Sequence, residues 1–287
     1  MTNHASSQGD STNTPSGAVH RTFPVTGPLH LDVKVGIGSV TVHARDDLTE
    51  AVVTVTPRRP QYEYNLAERL RIDMHGSTLV VHAAKLGGVL DLIGGGMSRA
   101  AVDVDLIVPS GTATKIVSYG ADIVVEGRTG NTDIAAGSSR TELEFVDGDL
   151  RLRYGSGPAR VARVSGTTEI KSASGTVRLG DLGHRLVMAC GSGNLEVDVA
   201  HGPVSLRAGS GQADIGVAEG DVDLVTGSGG LAVGLRPGQV ARLDVTTGSG
   251  QLLTDLPVTD SPPADGRPIT IRARTGSGDV RITRAAS

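Results

Sequence analysis

Two pairs of carboxylates have the residue types that glycoside hydrolysis requires. Glu142 and Glu144 form one pair, and Glu196 and Asp198 form the other, each at alternate positions of an apolar-polar pattern. Carboxylates that cleave glycosidic bonds lie about 5–10 Å apart. Whether these two pairs could meet depends on the elements that hold them.

Serine hydroxyls form a second candidate set, because serine recurs between glycines at regular intervals. A row of hydroxyls could bind a repetitive ligand, but a serine within a turn more commonly hydrogen-bonds to nearby backbone. The glycine-rich segments do not predict phosphate binding, since that requires a helix N-terminus or a GK[ST] lysine. We therefore interpret the serines as structural. They are Ser138, Ser156, Ser174, Ser192, Ser210, Ser228, Ser249 and Ser277.

The remaining reactive side chains do not form a recognisable centre. His184 and His201 recur at one corner of the predicted repeat, but two histidines without a third ligand make a weak metal site. Cys190 is the only cysteine, which excludes an internal disulfide and a cysteine-based metal cluster. The sequence thus predicts no catalytic residue, no cofactor-binding residue, no metal ligand and no enzyme activity.

A repeat of 18 residues accounts for these recurrences. Copies of the Gly-Ser-Gly segment, some degenerate, begin at positions 120, 137, 155, 173, 191, 209, 227, 248 and 276. The five successive spacings from position 137 to position 227 are each 18 residues. A fixed period of this length is typical of a stacked repeat architecture.

The pattern within one period predicts two strands. Leu186, Met188 and Cys190 alternate before a Gly-Ser-Gly segment, and Leu195 and Val197 alternate after it. A period of two is typical of a strand with one apolar face. A second turn, such as that at 201–202, separates consecutive pairs of strands. We therefore predict an all-β, single-stranded β-solenoid (β-helix) with two short strands per 18-residue rung.

This architecture weighs against several chemistries. Glu142 and Glu196 would lie three rungs apart, about 14 Å at ~4.8 Å per rung, which is too far for a glycosidase pair. Asn194 and Gln212 occupy positions where a calcium-binding nonapeptide repeat needs aspartate. A hexapeptide-repeat acyltransferase would have an apolar residue every six positions rather than every two. Within the rungs, Tyr119 and Tyr154 are predicted to share one interior slot.

The chain divides into three predicted regions. Residues 1–19 form a disordered polar tail, residues 20–100 an irregular β-rich N-terminal cap with a glycine-rich loop at 86–100, and residues 101–287 the solenoid repeats. A Pro-rich insertion at 257–268 and a single helical turn at 65–70 are also predicted. We expect the insertions near 236–239 and 257–268 not to break the stack, so that the last strands follow in chain order. The charged segment 281–284 would then lie at the edge of the stack and oppose further stacking.

Composition and charge exclude several partners. The net charge is −4 and aromatic residues make up 2% of the chain, with no tryptophan. A nucleic-acid-binding surface is expected to be basic with interleaved aromatics, so no nucleic-acid partner is predicted. No apolar run is long enough for a membrane span, and the first residues lack the features of a signal peptide. The sequence predicts a cytoplasmic protein, brought to the membrane only through a partner.

The repeated Gly-Ser-Gly and alternating apolar pattern, together with the opening segment TFPVTGPLHLDVKVGIGSVTVHARD, resembles the bacterial DUF4097 family of β-strand repeat proteins, also named putative adhesins or toastrack proteins. The likeness covers roughly residues 20–284, and the residue usage is similar to that of an actinobacterial member. The resemblance implies a β-solenoid without catalytic residues, acting in adhesion or in envelope-stress assemblies.

Three functional classes follow. The first is a non-catalytic scaffold that binds an unidentified protein partner through its outer strand faces and end loops. The second is a structural protein that polymerises end to end, as bactofilins do, because the ends of a solenoid are unpaired rungs. The third is a β-helix enzyme, which the missing carboxylate cluster disfavours. The sequence favours the binding scaffold and leaves oligomerisation open.

Overall fold

The computed structural model describes residues 18–58, 70–82, 101–256 and 268–285. Within these ranges the chain is all-β, as predicted, and contains no helix. The predicted N-terminal tail, the helical turn at 65–70 and the glycine-rich loop at 86–100 fall wholly or mostly outside the described residues. The same holds for most of the Pro-rich insertion.

Twenty-one strands make up the described chain. Their bounds are β1 Val19–Pro24, β2 His30–Arg45, β3 Glu50–Pro57, β4 Arg71–His75, β5 Thr78–His82, β6 Ala101–Pro109, β7 Ala113–Thr129, β8 Thr132–Ser138, β9 Thr141–Val146, β10 Leu150–Ser156, β11 Ala159–Val164, β12 Thr168–Leu182, β13 Leu186–Ala200, β14 Val204–Ser210, β15 Ala213–Ala218, β16 Val222–Ser228, β17 Leu231–Leu235, β18 Ala241–Ser249, β19 Leu252–Thr254, β20 Ile269–Ser277 and β21 Val280–Arg284.

Parallel pairing in a constant register dominates the middle of the chain. Leu152 lies opposite Ile170, Ile170 opposite Met188, and Met188 opposite Leu206. Each partner is 18 positions further along the chain, so equivalent residues of successive repeats form straight columns. These four residues are buried. Side chains of alternate strand positions point to opposite faces, and this column of inward side chains is therefore a continuous apolar stack.

The strands from β7 to β12 close into a ring of six parallel strands, paired in the order β7, β8, β10, β12, β11, β9 and back to β7. The ring closes because β7 and β12 each run along both of its sides. In β12 and β13 the pairing continues through the Gly-Ser-Gly segment, where Ser174 lies opposite Ser192 and Gly175 opposite Gly193. The expected division into two short strands is therefore wrong for these long strands, because the segment bends the strand without ending its pairing.

The two tyrosines do not share a slot, contrary to the sequence interpretation. Tyr154 is 7% exposed and lies opposite Ala136, which lies opposite Ser118. Tyr119 is one position later and is 52% exposed. A shift of one residue along a strand moves a side chain to the other face. The 17-residue spacing between positions 120 and 137 hides this shift in the sequence.

The N-terminal end of the stack is closed by antiparallel strands. β2 pairs in parallel with β5, β6 and β7. β3 then pairs antiparallel with β6, and β1 with β3, while β4 pairs antiparallel with β5. Among the described strands, β1 and β4 are thus the outermost at this end.

At the C-terminal end the strands do not stack in chain order. β20 lies between β16 and β18, and β21 lies between β17 and β19. Successive parallel strands are about 4.8 Å apart, so the turn at Arg236–Gln239 places β18 two strand spacings beyond β16, and the last strands fill the gap. The expectation that the insertions preserve chain order is wrong, and the segment 281–284 lies inside the stack rather than at its edge.

None of the described residues belongs to a helix that is long and apolar enough to cross a membrane.

Candidate functional site

A groove of about 520 Å³ lies across the first residues of six strands. The groove crosses β5, β2, β7, β8, β10 and β12, which are neighbours in one half of the stack. It is lined by His30, Leu31, Asp32, Thr78, Ala113, Thr114, Lys115, Asn131, Thr132, Asp133, Asp149, Leu150, Arg151, Thr167 and Glu169.

Charges of alternating sign form one column along this groove. Asp32 lies opposite Lys115, and Lys115 lies opposite Asp133. Asp133 lies opposite Arg151, which lies opposite Glu169. Because adjacent strands are about 4.8 Å apart, the sign of the side-chain charge reverses at each strand. The groove therefore presents a regular ladder of five charges on a sheet backbone, which we call the charge ladder.

Ion pairs hold most of the charge ladder in place. Arg153 Nη2 donates to Asp133 Oδ1 over 2.9 Å. Glu169 receives Lys171 Nζ at 2.8 Å and Arg151 Nε at 3.3 Å. The hydrogen bond from Lys171, followed by that from Arg151, lowers the pKa of the Glu169 carboxyl. Glu169 therefore stays ionised at neutral pH and cannot act there as a general acid. Among the described residues Lys115 makes no ion pair within 4.0 Å, so its ammonium group remains free for a ligand.

Side-chain oxygens fix the corner wall of the groove. Asn131 Oδ1 accepts the backbone N–H of Asp149 over 2.9 Å, and Asp149 Oδ1 accepts the backbone N–H of Thr167 over 2.8 Å. Each bond joins one repeat to the next, and satisfies a donor at a turn where the strand ladder has ended. The wall is therefore held by bonds between repeats as well as by the sheet.

His82 borders the groove on β5, with its Nε2 atom 3.6 Å from Asp32 Oδ1. Burial lowers the pKa of His82 and the charge of Lys34 lowers it further, while Asp32 opposes both. A histidine with a lowered pKa takes up its proton in the unfolded state first. The free energy of unfolding is therefore expected to fall as the pH drops below about 6.5, the ordinary histidine pKa.

We expect His82→Gln to flatten this loss of stability, measured as urea-unfolding midpoints at about pH 7.5 and about pH 5. Lys34→Gln should reduce the pH dependence without abolishing it, because burial is the larger cause. If His82→Gln and the parent protein lost stability equally on acidification, His82 would not be the group responsible.

The two carboxylate pairs lie apart, as their spacing in the sequence predicted. Glu142 lies opposite Arg160, Arg160 opposite Arg178, and Arg178 opposite Glu196. Two arginine-bearing strands thus separate the carboxylates, and Arg178 Nε pairs with Glu196 Oε2 at 2.7 Å. This arrangement suits an ion-paired outer surface. It does not suit the acid and nucleophile of a glycosidase.

His201 and Cys190 lie apart from any reactive centre in the described part of the chain. His201 Nδ1 lies 2.7 Å from Glu219 Oε2, and its Nε2 atom lies 3.3 Å from Asp181 Oδ1. Over the residues that the structure describes, no three or more His, Cys, Asp or Glu side chains are arranged so that they could hold a metal ion. Cys190 lies opposite Ala208 on the inward side, as predicted, and burial raises the pKa of its thiol. A raised pKa makes a thiol a poor nucleophile.

The serines do form the predicted column. Ser138 and Ser156 have hydroxyl oxygens 2.9 Å apart. Further along, Ser192 lies opposite Ser210, and Ser210 opposite Ser228. The column ends with Ser277 before Ser249, in the order of the crossed strands.

Sequence reasoning missed the groove, although part of its signal is present in the sequence. Asp133, Arg151 and Glu169 recur at intervals of 18 with alternating sign. The 18-residue period could not predict that Asp32 belongs to the charge ladder. Asp32 is in β2, and it pairs with Lys115 of β7, which is 83 positions further along the chain.

No family model and no curated protein matches this chain. Among solved structures, a "putative adhesin" from Parabacteroides distasonis aligns with 92% of this chain and 96% of its own, at 14% identity and a TM-score of 0.39. A "putative adhesin" from Bacteroides fragilis aligns with 93% and 96%, at 14% identity and a TM-score of 0.38. A "putative lipid binding protein" from Parabacteroides distasonis aligns with 95% and 98%, at 12% identity and a TM-score of 0.32. Likenesses at this level establish neither the family nor the function of the chain.

Proposed function

We propose that this protein is a non-catalytic binding scaffold and that the charge ladder and its groove are the contact surface. The observation that supports this most strongly is the ladder itself: five charges of alternating sign, spaced by a sheet and largely fixed by ion pairs. Fixed charges on a rigid sheet need little reordering when a partner binds. They select a partner by charge complementarity.

The scaffold in this proposal is a β-solenoid. The constant 18-residue register of β10, β12, β13, β14 and β16 supports it. In such a stack each repeat contacts only its neighbours and leaves its outer face for recognition. The proposed organisation is a tail at 1–19, a cap at 20–100 and repeats at 101–287, in keeping with the DUF4097 resemblance of the sequence.

The proposed partner is a protein segment with charges of its own. Lys115 offers a free ammonium group to a carboxylate, and Asp32 and Glu169 offer carboxylates to lysine or arginine on the two sides of it. A carbohydrate is a weaker fit, because sugar rings stack on aromatic side chains and the groove lining contains none apart from His30.

Site-specific photocrosslinking in the producing cell tests this proposal. With a benzophenone amino acid at Thr167, an exposed residue of the groove lining outside the charge ladder, we expect an adduct with a protein partner. The same amino acid at Asp198, an exposed position on the other half of the stack, is the matched control and should give none.

Charge reversal at a neighbouring position completes the test. Arg151→Glu should weaken the Thr167 adduct severalfold, because the new carboxylate would lie between those of Asp133 and Glu169. The fold should survive, since exposed ion pairs contribute about 1 kcal/mol or less, and circular dichroism checks this. Equal adducts from both positions, or an adduct indifferent to Arg151→Glu, would show that the groove is not the contact surface.

A further inference from the structure

The strands at the C-terminal end of the stack have one unpaired edge each. Of the described strands, β18 pairs only with β20, and β19 only with β21. The outer edge of each therefore presents backbone N–H and C=O groups that no described strand satisfies. Such an edge is a template for pairing with another chain, and proteins ordinarily block it with charge, proline or a covering element.

Apolar side chains are exposed at this same end. Leu252 lies opposite Val280, which is fully buried, yet Leu252 itself is 45% exposed because the column of inward side chains stops there. Val240 and Leu253 are 39% and 38% exposed. Apart from Tyr119, these three are the only large apolar side chains that are exposed among the described residues. Their concentration at one end marks an interaction surface.

The opposite end of the stack does not match this one. Its outermost described strands, β1 and β4, belong to antiparallel pairs. β4 has the sequence RIDMH, whose charged or ionisable residues Arg71, Asp73 and His75 are exposed. Head-to-tail growth would set an apolar rung against this polar strand. Pairing the C-terminal ends of two copies places apolar side chains against apolar side chains, and such a two-fold contact gives a dimer that does not grow further.

Charge complementarity selects one register for that contact. In an antiparallel pair, residues directly opposite each other lie on the same face. With Leu243 opposite Leu243 of a second copy, Arg242 lies opposite Asp244 on the outer face and Ala241 lies opposite Val245 inside. The register with Leu243 opposite Val245 would place Asp244 opposite itself, where like charges are destabilising. We propose that two copies of this chain associate through β18 and β19 in the first of these registers, forming a two-fold dimer.

The dimer is tested first by its mass. Sedimentation equilibrium from about 1 to 500 μM should show the mass rising from 29.4 kDa towards twice that value, a range suited to a small interface. Leu252→Lys should weaken association at least about tenfold, since each dimer buries two of these side chains. Tyr119→Lys makes the same change at an exposed residue remote from this end and should leave association unchanged.

Disulfide trapping tests the register. In a Cys190→Ser background, Leu243→Cys places two thiols on the two-fold axis, where opposite Cα atoms of an antiparallel pair are about 4.5–5.5 Å apart and a disulfide fits. Val245→Cys is the control, because its two copies would lie about 14 Å apart, four residues along the strand. We expect oxidation to link the first variant and not the second.

Three outcomes would overturn the proposal. A constant monomer mass would show that the end does not bind a second copy, and rods longer than a dimer would show head-to-tail polymerisation instead. Efficient linking of Val245→Cys without Leu243→Cys would exclude the register. None of these results bears on the groove, whose crosslinking experiment uses a different surface.

Discussion

Replacing Gly229 with alanine is expected to lower the free energy of unfolding by about 3 kcal/mol. Gly229 has a φ of +128°, a conformation that residues with a Cβ atom rarely adopt. A Cβ atom there would also overlap the backbone carbonyl oxygen of Gly211 in the neighbouring repeat. Since the position of the Cβ atom is fixed by its own backbone and the oxygen belongs to the backbone stacked on it, the overlap is relieved only by separating the two repeats.

The next residue provides a matched control for this prediction. Gly230 has no positive φ, and a Cβ atom there would come no closer than 3.7 Å to the carbonyl oxygen of Asp279, which is an ordinary contact. Gly230→Ala should therefore be neutral, or stabilise by up to about 1 kcal/mol through the unfolded state. Urea unfolding of both variants measures the difference. Equal stabilities would show that the corner does not require glycine for close stacking.

Ile282→Ala is expected to cost about 2–5 kcal/mol of folding free energy, whereas Leu252→Ala should cost about 1 kcal/mol or less. Ile282 is fully buried because β21 lies between β17 and β19. Leu252 occupies the last strand of the same half and is 45% exposed. Removing a buried side chain leaves a cavity, while removing an exposed one loses little contact.

This comparison tests the order of the strands directly. If the repeats stacked in chain order, β19 would be interior and β21 terminal, so Leu252→Ala would be the costlier change. The measurement is urea unfolding at low micromolar concentration, where the proposed dimer is dissociated and does not add to the stability of the parent protein. Similar losses for both variants would contradict the observed order.

Both predictions concern the packing of adjacent repeats, and the proposed binding groove depends on the same packing. The charge ladder has its regular spacing only because the strands from β2 to β12 keep one register. A substitution that separates adjacent repeats, such as Gly157→Ala, whose Cβ atom would overlap the Ser139 carbonyl oxygen, would disturb that spacing as well as the stability. The groove is thus a property of the stack rather than of any one strand.

Much of the local structure follows from the sequence itself. The alternation of Leu186, Met188 and Cys190 predicted an all-β chain. The spacing of 18 between Gly-Ser-Gly segments predicted the column that contains Ser192, Ser210 and Ser228. These features depend on residues close together in the chain, where backbone preference and side-chain periodicity act directly. The separation of Glu142 from Glu196 by two strands followed from the same period.

Contacts between distant segments were decided by the tertiary structure. The pairing of β2 with β7 brings Asp32 to Lys115, and the crossing of the last strands places Ile282 inside the stack and Leu252 at its end. Neither the β2–β7 pairing nor the crossing of the last strands has a signature in the local sequence. A repeat can pair with any other repeat of the same pattern, and an inserted turn lets the next strand leave one position of the stack empty for a later strand. The all-β class and the 18-residue period were thus determined by the sequence alone, whereas the order of the strands, and with it the groove and the exposed end, was decided by contacts between segments that are far apart in the chain.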